Sequence, residues 1–453
     1  MERARRDGPL PRRLPRRRRG PPCLTGALLA ASGLLAATVP PATAGVVPVA
    51  TAAALRTAID NAQPGDVITL APGTYVIAQN LLCDTPGTRD SSIVVRAATL
   101  GSAVIQSSAL EGFKVSAPYW TFENLVVEGT CAADDDCEHA IHLFGDAEWT
   151  VIRRNVLRDF NAQIKSNGAG APFVFPDDVL IEGNELYDRQ ARQTDNPVTK
   201  LDVVGGRRWT VRANAIHDYE KAGGDGVSYG AFLKGNSRQG TFERNLVRCR
   251  TPASPFSGGT RIGLSFGGGG SGPPSICEDG TCTPEHQGGV MRNNFVLACS
   301  DVGIYLNAAA SSGIHSNTLF DTTGIDVRFT ASSADLRDNL LSGQIRNRDG
   351  GTSTEGSNLE MVSLAEWEAW FADPAAADFT LGDGSAIVDA GASVAAVTDD
   401  YCGAFRASGP PDLGAVEYPV AAPCLTATAG GGTELFRESF ERGGVGAWSW
   451  RAP

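Results

Sequence analysis

The chain has 453 residues, of which 42% are hydrophobic and 20% charged, with a formal net charge of −12 and ten cysteines. Residues 1–44 hold nine arginines and two acidic residues, a net of +7, so their removal would take the charge from −12 to −19. A surface this acidic repels nucleic acid and anionic membranes, and we expect neither as a partner.

An export signal is expected at the N-terminus. Arginines precede the apolar run from Leu24 to Val39, and Ala42-Thr43-Ala44 follows as a small-residue cleavage site. The run is too short and too rich in alanine and glycine for a membrane span, and no later segment has the ~18 unbroken apolar residues of one. We therefore expect residues 1–44 to be a signal peptide and the mature protein to be secreted.

A helix and two strands are predicted next. Residues 52–63 have helical periodicity and end before a Pro-Gly turn, and strands are expected over 67–70 and 73–77. A short amphipathic helix ahead of the first coil would cover the open end of a solenoid and prevent edge-to-edge pairing. We assign residues 45–106 to this N-terminal cap and the first coils.

An asparagine recurs at intervals of 31, 29, 30, 31, 49, 23 and 22 residues, each time between apolar positions. This period predicts the coils of a parallel β-solenoid, in which a buried asparagine at each corner hydrogen-bonds to the coils above and below. We expect an all-β fold with repeats over 107–350, an insertion at 262–290, a C-terminal cap over 351–420 with a helix near 360–371, and a linker and tail over 421–453. The ladder asparagines are Asn124, Asn155, Asn184, Asn214, Asn245, Asn294, Asn317 and Asn339.

The cysteines suggest disulfides in an oxidising compartment. Loss of Cys23 with the signal leaves nine, and spacing along the chain and between coils suggests four pairs with Cys83 left over. The pairs are Cys131 with Cys137, Cys277 with Cys282, Cys249 with Cys299, and Cys402 with Cys424. The absence of CxxC spacing argues against a cysteine-based zinc or redox site.

Two segments resemble a known family. Residues 58–75, near the start, and Asp412–Tyr418, near the end, are similar to the opening and closing segments of secreted right-handed parallel β-helix proteins, including polysaccharide lyases of the chondroitinase-B and alginate-lyase type. The resemblance covers about residues 70 to 420. It implies a right-handed parallel β-helix of the pectin-lyase type and leaves the reaction open, because this solenoid hosts lyases, hydrolases, epimerases and adhesins.

A polar stripe is expected on one outer face. About thirteen residues before each ladder asparagine lies a strand whose aliphatic residues point inward, so that their neighbours point outward. Lysine is scarce in this chain, yet three lysines fall in the stripe, where mutual repulsion can lower a lysine pKa towards neutrality. The alternative is a solvated sheet face without a reaction. The stripe contains His142, Lys165, Lys200, Asp202, Lys234, Ser265, Tyr305, Asn307, Asp326 and Arg328.

We expect a lyase that cleaves a uronate-containing polysaccharide by β-elimination, which requires neutralising the carboxylate, removing the C5 proton and protonating O4. In the lyases that this chain resembles, a Lys-Ser pair supplies the base, and Lys165-Ser166 matches it, whereas the family's calcium-binding glutamates are absent from 159–163 and its arginine is replaced in 200–204. We expect Lys165, Lys200, Lys234, Asp202 and Arg328 to be catalytic, and His142, Asp225, Tyr305, Asn307, Asp326 and Arg192 to bind the substrate.

Other functions stay open. Asp202, Asp225 and Asp326 suggest a glycoside hydrolase, which needs two carboxyls about 5–9.5 Å apart. An epimerase or a non-catalytic glycan-binding solenoid is the further alternative. Acidic loops at 134–136 and 177–178 suggest Ca²⁺, while His142, His217, His286 and His315 lack the spacing of metal ligands. The expected partner is an extracellular polysaccharide, and the expected state is a monomer.

Overall fold

The computed structural model describes residues 45–382, 386–406 and 409–420. These residues form a right-handed parallel β-helix, as the asparagine repeat and the family resemblance together predict, with three long sheets wound around one apolar core. The predicted signal peptide and the predicted tail lie outside the described residues. Within the described ranges, no helix has the length and apolar character needed to cross a membrane.

Three parallel sheets form the walls of the solenoid. Sheet 1 has twelve strands: Val46–Val49, Val67–Leu70, Ile93–Ala97, Trp120–Glu123, Val151–Arg153, Leu180–Glu182, Thr210–Arg212, Thr241–Glu243, Val290–Arg292, Ser312–His315, Ser333–Arg337 and Thr352–Gly356. Sheet 2 has ten: Leu81–Cys83, Glu111–Val115, His139–Phe144, Ala162–Asn167, Val198–Val204, Val227–Lys234, Thr260–Phe266, Ile304–Asn307, Gly324–Arg328 and Gln344–Arg348. Sheet 3 also has ten: Gly73–Ile77, Ala103–Ser107, Val126–Gly129, Val156–Arg158, Glu185–Tyr187, Ala215–His217, Leu246–Arg248, Phe295–Leu297, Thr318–Phe320 and Leu340–Leu341.

The remaining elements are short. A small three-stranded sheet contains Ser237–Arg238, His286–Gln287 and Ala309–Ala310, and an antiparallel pair contains Phe371–Asp373 and Asp378–Leu381. The α-helices are Ala52–Asp60 and Leu364–Trp370, and 3₁₀ turns occupy Asp134–Asp136, Pro274–Ile276 and Pro374–Ala376.

Both predicted helices form, with shifted ends. The first begins after Thr51, whose hydroxyl accepts a hydrogen bond from the N–H of Ala54, and it buries Leu55 and Ile59 over the first coil. It ends at Asp60, three residues before the predicted end. The second begins at Leu364 and not near 360, because Ser363 and Glu366 form a reciprocal capping box there.

The asparagine ladder runs without a break from Asn155 to Asn358. In each rung, the Oδ1 of one asparagine accepts hydrogen bonds from the backbone N–H and the Nδ2 of the asparagine one coil earlier; Asn155 donates both to Asn184 at 3.0 Å. The Nδ2 group also donates to a carbonyl of the preceding coil, as Asn155 does to Phe122 at 3.0 Å. The ladder thereby satisfies buried backbone groups that a tight corner leaves unpaired.

The ends of the ladder differ from the prediction. Asn124 is one position out of register, because the Oδ1 of Asn155 accepts from the N–H of Leu125. Asn124 instead occupies the left-handed corner position, with a φ of 58°, that Arg154 occupies one coil later with a φ of 55°. At the other end, Asn358 accepts from Asn339 and extends the ladder by one rung that the sequence analysis missed.

Strand alternation is confirmed inside the solenoid. The predicted inward residues of sheet 2 are buried and stack in register; Ile141 pairs with Ile164, which pairs with Leu201. Such stacks of aliphatic side chains provide the burial that a single coil could not achieve. They also fix which residues of the same strands face outward.

The predicted disulfides are confirmed for three pairs: Cys131–Cys137, Cys249–Cys299 and Cys277–Cys282. Cys83 is buried and unpaired, as predicted. Cys402 is disulfide-bonded, and its predicted partner Cys424 lies outside the described residues.

Replacing a ladder residue will test the energetic weight of the ladder. Asn214→Ala removes the acceptor for the N–H and Nδ2 of Asn184 and the donor to the carbonyl of Ile181. We expect the free energy of unfolding to fall by about 3 kcal/mol or more, because each buried unpaired group costs ~1–3 kcal/mol. Denaturant unfolding measures the change. Asn347→Ala is the control, because among the described residues this exposed side chain hydrogen-bonds only to Ser353. Equal losses of stability in both variants would contradict the prediction.

Candidate functional site

The outer face of sheet 2 carries a continuous row of side chains, here called the outer row. Neighbouring strands pair Lys114 with His142, His142 with Lys165, and Lys165 with Asp202. Adjacent strands are ~4.8 Å apart, so these groups lie side by side although they are distant in sequence. The row continues through Phe232, Ser265, Tyr305 and Asp326.

Lys165, Asp202 and Lys234 form the lysine–aspartate centre of this row. The Nζ of Lys165 lies 2.8 Å from Oδ1 of Asp202, which is buried. Lys234 lies one strand further, with its ammonium 4.6 Å from the ring centroid of Phe232. Burial acts to raise the pKa of Asp202, but Lys165 and Lys234 outweigh it and lower the pKa overall. Asp202 therefore stays a carboxylate, with lysines on both neighbouring strands.

Lys234 has a lower pKa than an exposed lysine. Its Nζ donates to the carbonyl of Gly270 at 2.9 Å, and the residue is half-buried. Burial lowers the pKa of Lys234; Asp202 opposes this effect and Lys165 adds to it. The neutral amine, which is the basic form, is therefore reached at lower pH than in a solvated lysine.

The four-glycine run 267–270 explains this burial. A Cβ added at Gly268 would stand 2.9 Å from Cδ1 of Phe232 and 3.3 Å from Cδ of Lys234. A Cβ at Gly267 would stand 1.8 Å from the carbonyl oxygen of Asn307, and both glycines have positive φ. Only glycine permits this close approach, which covers Phe232 and Lys234.

Lys200 does not join the other two lysines. Its side chain is fully buried, and its Nζ donates to the carbonyl of Phe160 at 3.1 Å and to the carboxylate of Asp188. Both partners follow strands of sheet 3, so Lys200 reaches into the corner between sheets 3 and 2 and away from the outer face. Burial lowers the pKa of Lys200 and raises that of Asp188, and their mutual attraction opposes both shifts. The expected stripe of three lysines is therefore a pair plus an internal ion pair.

The predicted residues at the far end of the row form a separate group. Asp326 lies four strands from Asp202, about 19 Å away at the usual strand spacing, and it pairs with Arg346 and Arg348 at 2.6 Å each. Arg328 pairs with Asp349, and its Nη1 donates to the hydroxyl of Tyr305 at 3.4 Å. The Nδ2 of Asn307 donates to the carbonyl of Gly268 at 2.7 Å, so Asn307 holds the glycine loop.

Two other predicted residues lie in different surroundings. Arg192 is buried and pairs with Asp134 at 2.9 Å. Asp225 lies in an exposed loop, where it pairs with Lys221 at 2.9 Å. Asp202 is opposite Phe232, and the strand from Val227 to Phe232 alone spans about 16 Å. Asp202 and Asp225 are therefore further apart than the ~9.5 Å that a hydrolase pair allows.

The acidic loops proposed for Ca²⁺ are engaged with protein donors. Asp134 accepts from the N–H of Gln193 at 2.6 Å, and Asp135 accepts from Thr194. The Oδ1 of Asp177 accepts from the N–H of Arg207 at 2.8 Å, and Asp178 pairs with Arg208. These contacts give no support to the calcium expectation.

A second centre, which the sequence analysis missed, contains Glu111, His139 and His142. The Nδ1 of His142 lies 2.6 Å from Oε1 of Glu111, and the rings of His142 and His139 are 5.0 Å apart. Burial acts to raise the pKa of Glu111, but His142 and Lys114 outweigh it and lower the pKa to about 2. Burial lowers the pKa of His139 to about 3, and His142 and Lys165 add to this effect.

These three side chains are the group of potential metal ligands found among the described residues, and their donor atoms lie within 4.8 Å of one another. The sequence signal was the spacing His139-x-x-His142, which a regular strand would place on opposite faces. Glu111 joins it only through the register of the preceding strand, which pairs Glu111 with His139.

Comparison with known proteins identifies the fold class. No protein family profile and no curated protein matches this sequence. Among solved structures, the pectate lyase Pel9A is similar with a TM-score of 0.56 and 15% identity, over 80% of this chain and 90% of that one. A rhamnogalacturonan lyase (TM-score 0.40, 14% identity, 73% of this chain and 90% of that one) and an alginate lyase from Paenibacillus sp. str. FPU-7 (0.35, 15%, 69% and 98%) also match. The likeness to Pel9A is one of fold, the parallel β-helix.

Replacing Lys200 will test whether its buried ion pair with Asp188 affects the stability of the fold. Lys200→Met leaves Asp188 buried without its counter-ion, and we expect the free energy of unfolding to fall by about 3–5 kcal/mol. The double variant Lys200→Met/Asp188→Leu should recover most of this loss, because it removes both charges. Denaturant unfolding of the two variants measures the difference. A Lys200→Met variant as stable as the wild type would contradict the structural role.

Proposed function

We propose that this protein is a secreted polysaccharide lyase that cleaves a uronate-containing glycan by β-elimination at the lysine–aspartate centre. The observation that carries the proposal is the pair of lysines, Lys165 and Lys234, on the two strands that flank the strand of Asp202, with Lys165 ion-paired to that carboxylate. One amine is held in an ion pair, and the pKa of the other is lowered mainly by burial. The predicted N-terminal signal and the disulfides support secretion.

The two amines suit different steps of elimination. Lys165 forms an ion pair with Asp202, and its ammonium can neutralise the substrate carboxylate and so acidify C5. Lys234, as the neutral amine, takes the C5 proton; the C4–O4 bond breaks as the C4–C5 double bond forms. The ammonium formed on Lys234 then carries the proton that the departing O4 requires.

The choice of Lys234 as base departs from the resemblance, which assigns that role to the Lys165-Ser166 pair. The reason is that the two lysines have different environments. The glycine run 267–270 covers Lys234, whereas the Nζ of Lys165 forms an ion pair with the carboxylate of Asp202. Arginine distinguishes the two roles, because it keeps the charge and cannot act as a base at ordinary pH.

No observation favours hydrolysis over elimination. The general acid of a glycosidase requires a raised pKa, whereas the pKa of Asp202 is lowered. Asp225 lies in the loop before the strand Val227–Lys234, too far from Asp202 to form a hydrolase pair with it. An epimerase shares the removal of the C5 proton, and a binding module would use the same cations without a reaction, so both are outcomes of the assay below.

Elimination is tested with alginate, pectate and glycosaminoglycans by the ultraviolet absorbance of the unsaturated product. We expect Lys234→Arg to lower kcat by about 10³-fold or more, since a general base contributes ~10²–10⁴-fold, and Lys165→Arg to keep most of the activity. Lys221→Arg is the matched control, since this lysine pairs with Asp225 elsewhere. New reducing ends without absorbance would indicate hydrolysis, inversion at C5 without cleavage would indicate an epimerase, and binding alone would indicate a glycan-binding module.

The lowered pKa of Lys234 also predicts a pH dependence. The neutral amine is the active form, so kcat should rise about tenfold per pH unit below the pKa of Lys234 in the complex and level off above it. Because burial lowers this pKa, the plateau should begin at a lower pH than for a solvated lysine. A kcat that falls as pH rises over this range would exclude Lys234 as the base.

A further inference from the structure

Glu111, His139 and His142 form a centre that the elimination proposed above does not use. They lie on the adjacent strands Glu111–Val115 and His139–Phe144, and their donor atoms are within 4.8 Å of one another. Bonds from a metal ion to nitrogen or oxygen are ~2.0–2.2 Å, which separates the ligand atoms by about 3–3.6 Å. Small side-chain rotations are enough to reach that geometry.

The contacts of His142 leave room for a cation. The Nδ2 of Asn167 donates to the carbonyl of Gly168 at 3.0 Å, so its Oδ1 faces Nε2 of His142, at 2.6 Å, as an acceptor. The Nε2 nitrogen therefore donates to Asn167, and Nδ1 is the nitrogen that faces the carboxylate of Glu111, at 2.6 Å. The 2.6 Å separation is that of a hydrogen bond, and an ion that binds both atoms would replace the shared proton and separate the atoms to ~3–3.6 Å. Asn167 would hold the ring while Nδ1 binds the ion.

His139 supplies the second nitrogen. Its Nδ1 atom is buried and has no hydrogen-bond partner among the described residues. A buried polar atom without a partner carries a desolvation cost that a bound ion would offset. On the other side, Glu111 is oriented through its second oxygen, which accepts from Asn80 at 2.8 Å and from Lys114 at 3.0 Å.

The donor set selects the ion. Two imidazoles and one carboxylate are the ligands of Zn²⁺ and related first-row ions in sites that keep a position open. Ca²⁺ prefers six to eight oxygens, which these residues do not provide.

We propose that Glu111, His139 and His142 bind one divalent transition-metal ion of the zinc class and leave a coordination position for a further ligand. His142 pairs with Lys165 on the next strand, so the ion would lie beside the lysine–aspartate centre. Its role in catalysis rests on the proposed function: it would bind the uronate carboxylate together with Lys165. Binding of the ion does not depend on that function.

The test is a titration of the chelator-treated protein with Zn²⁺ by calorimetry and with Co²⁺ by visible absorption. We expect one ion per chain, and we expect His139→Gln to weaken binding by about a hundredfold or more, since even outer-shell partners contribute ~10–100-fold. His315→Gln is the matched control, because this buried histidine lies on sheet 1. Thermal unfolding establishes that each variant is folded.

Lys114→Met gives a second measurement that does not remove a ligand. Lys114 competes with the ion for Glu111, so its loss should tighten Zn²⁺ binding by about tenfold, as expected for one charge near the site. No stoichiometric ion in the wild type, or unchanged binding in His139→Gln, would overturn the metal site. Zn²⁺ binding without elimination would overturn the proposed function and leave the metal site intact. Elimination that is insensitive to chelator, in a protein that does not bind Zn²⁺, would overturn the metal site and leave the proposed function intact.

Discussion

The structure depends on one interaction, the hydrogen bond that each buried ladder asparagine donates to the asparagine of the next coil. Oδ1 accepts two N–H groups from the preceding coil, so a coil cannot slide along its neighbour without leaving buried donors unpaired. Side chains alternate between the two faces of a strand, and a slip of one residue would exchange the core with the surface. The ladder therefore fixes which side chains share a face in the coils that it joins.

That register creates the chemistry of the outer row. Lys114, His142, Lys165 and Asp202 come from four different coils and become neighbours only through parallel pairing. Isolated lysines on an acidic chain would be solvated charges. Placed one strand apart around a buried carboxylate, they acquire distinct environments, because one is held in an ion pair and another is covered by the glycine run.

Burial, more than sequence position, separates the lysines by role. Lys200 and Lys234 lie on neighbouring strands, yet Lys200 reaches a carboxylate inside the corner, whereas Lys234 donates to the carbonyl of Gly270 in the glycine run. Lys200 is held in a buried ion pair, whereas Lys234 has an amine whose pKa is lowered. The two centres of the outer row, one of amines and one of imidazoles, are adjacent because His142 and Lys165 are paired.

The sequence by itself determined the repeat, the inward positions of the strands, three disulfides and the N-terminal helix, because each of these depends on local periodicity, spacing or capping chemistry. Only the tertiary structure decided the register at the ladder ends, where Leu125 replaces Asn124 and Asn358 is added. It also decided the burial of Lys200 and the meeting of Glu111 with His139 and His142. The direction of a side chain at a corner, and its neighbour one coil away, depend on pairing between residues about thirty positions apart, which periodicity along the chain does not contain.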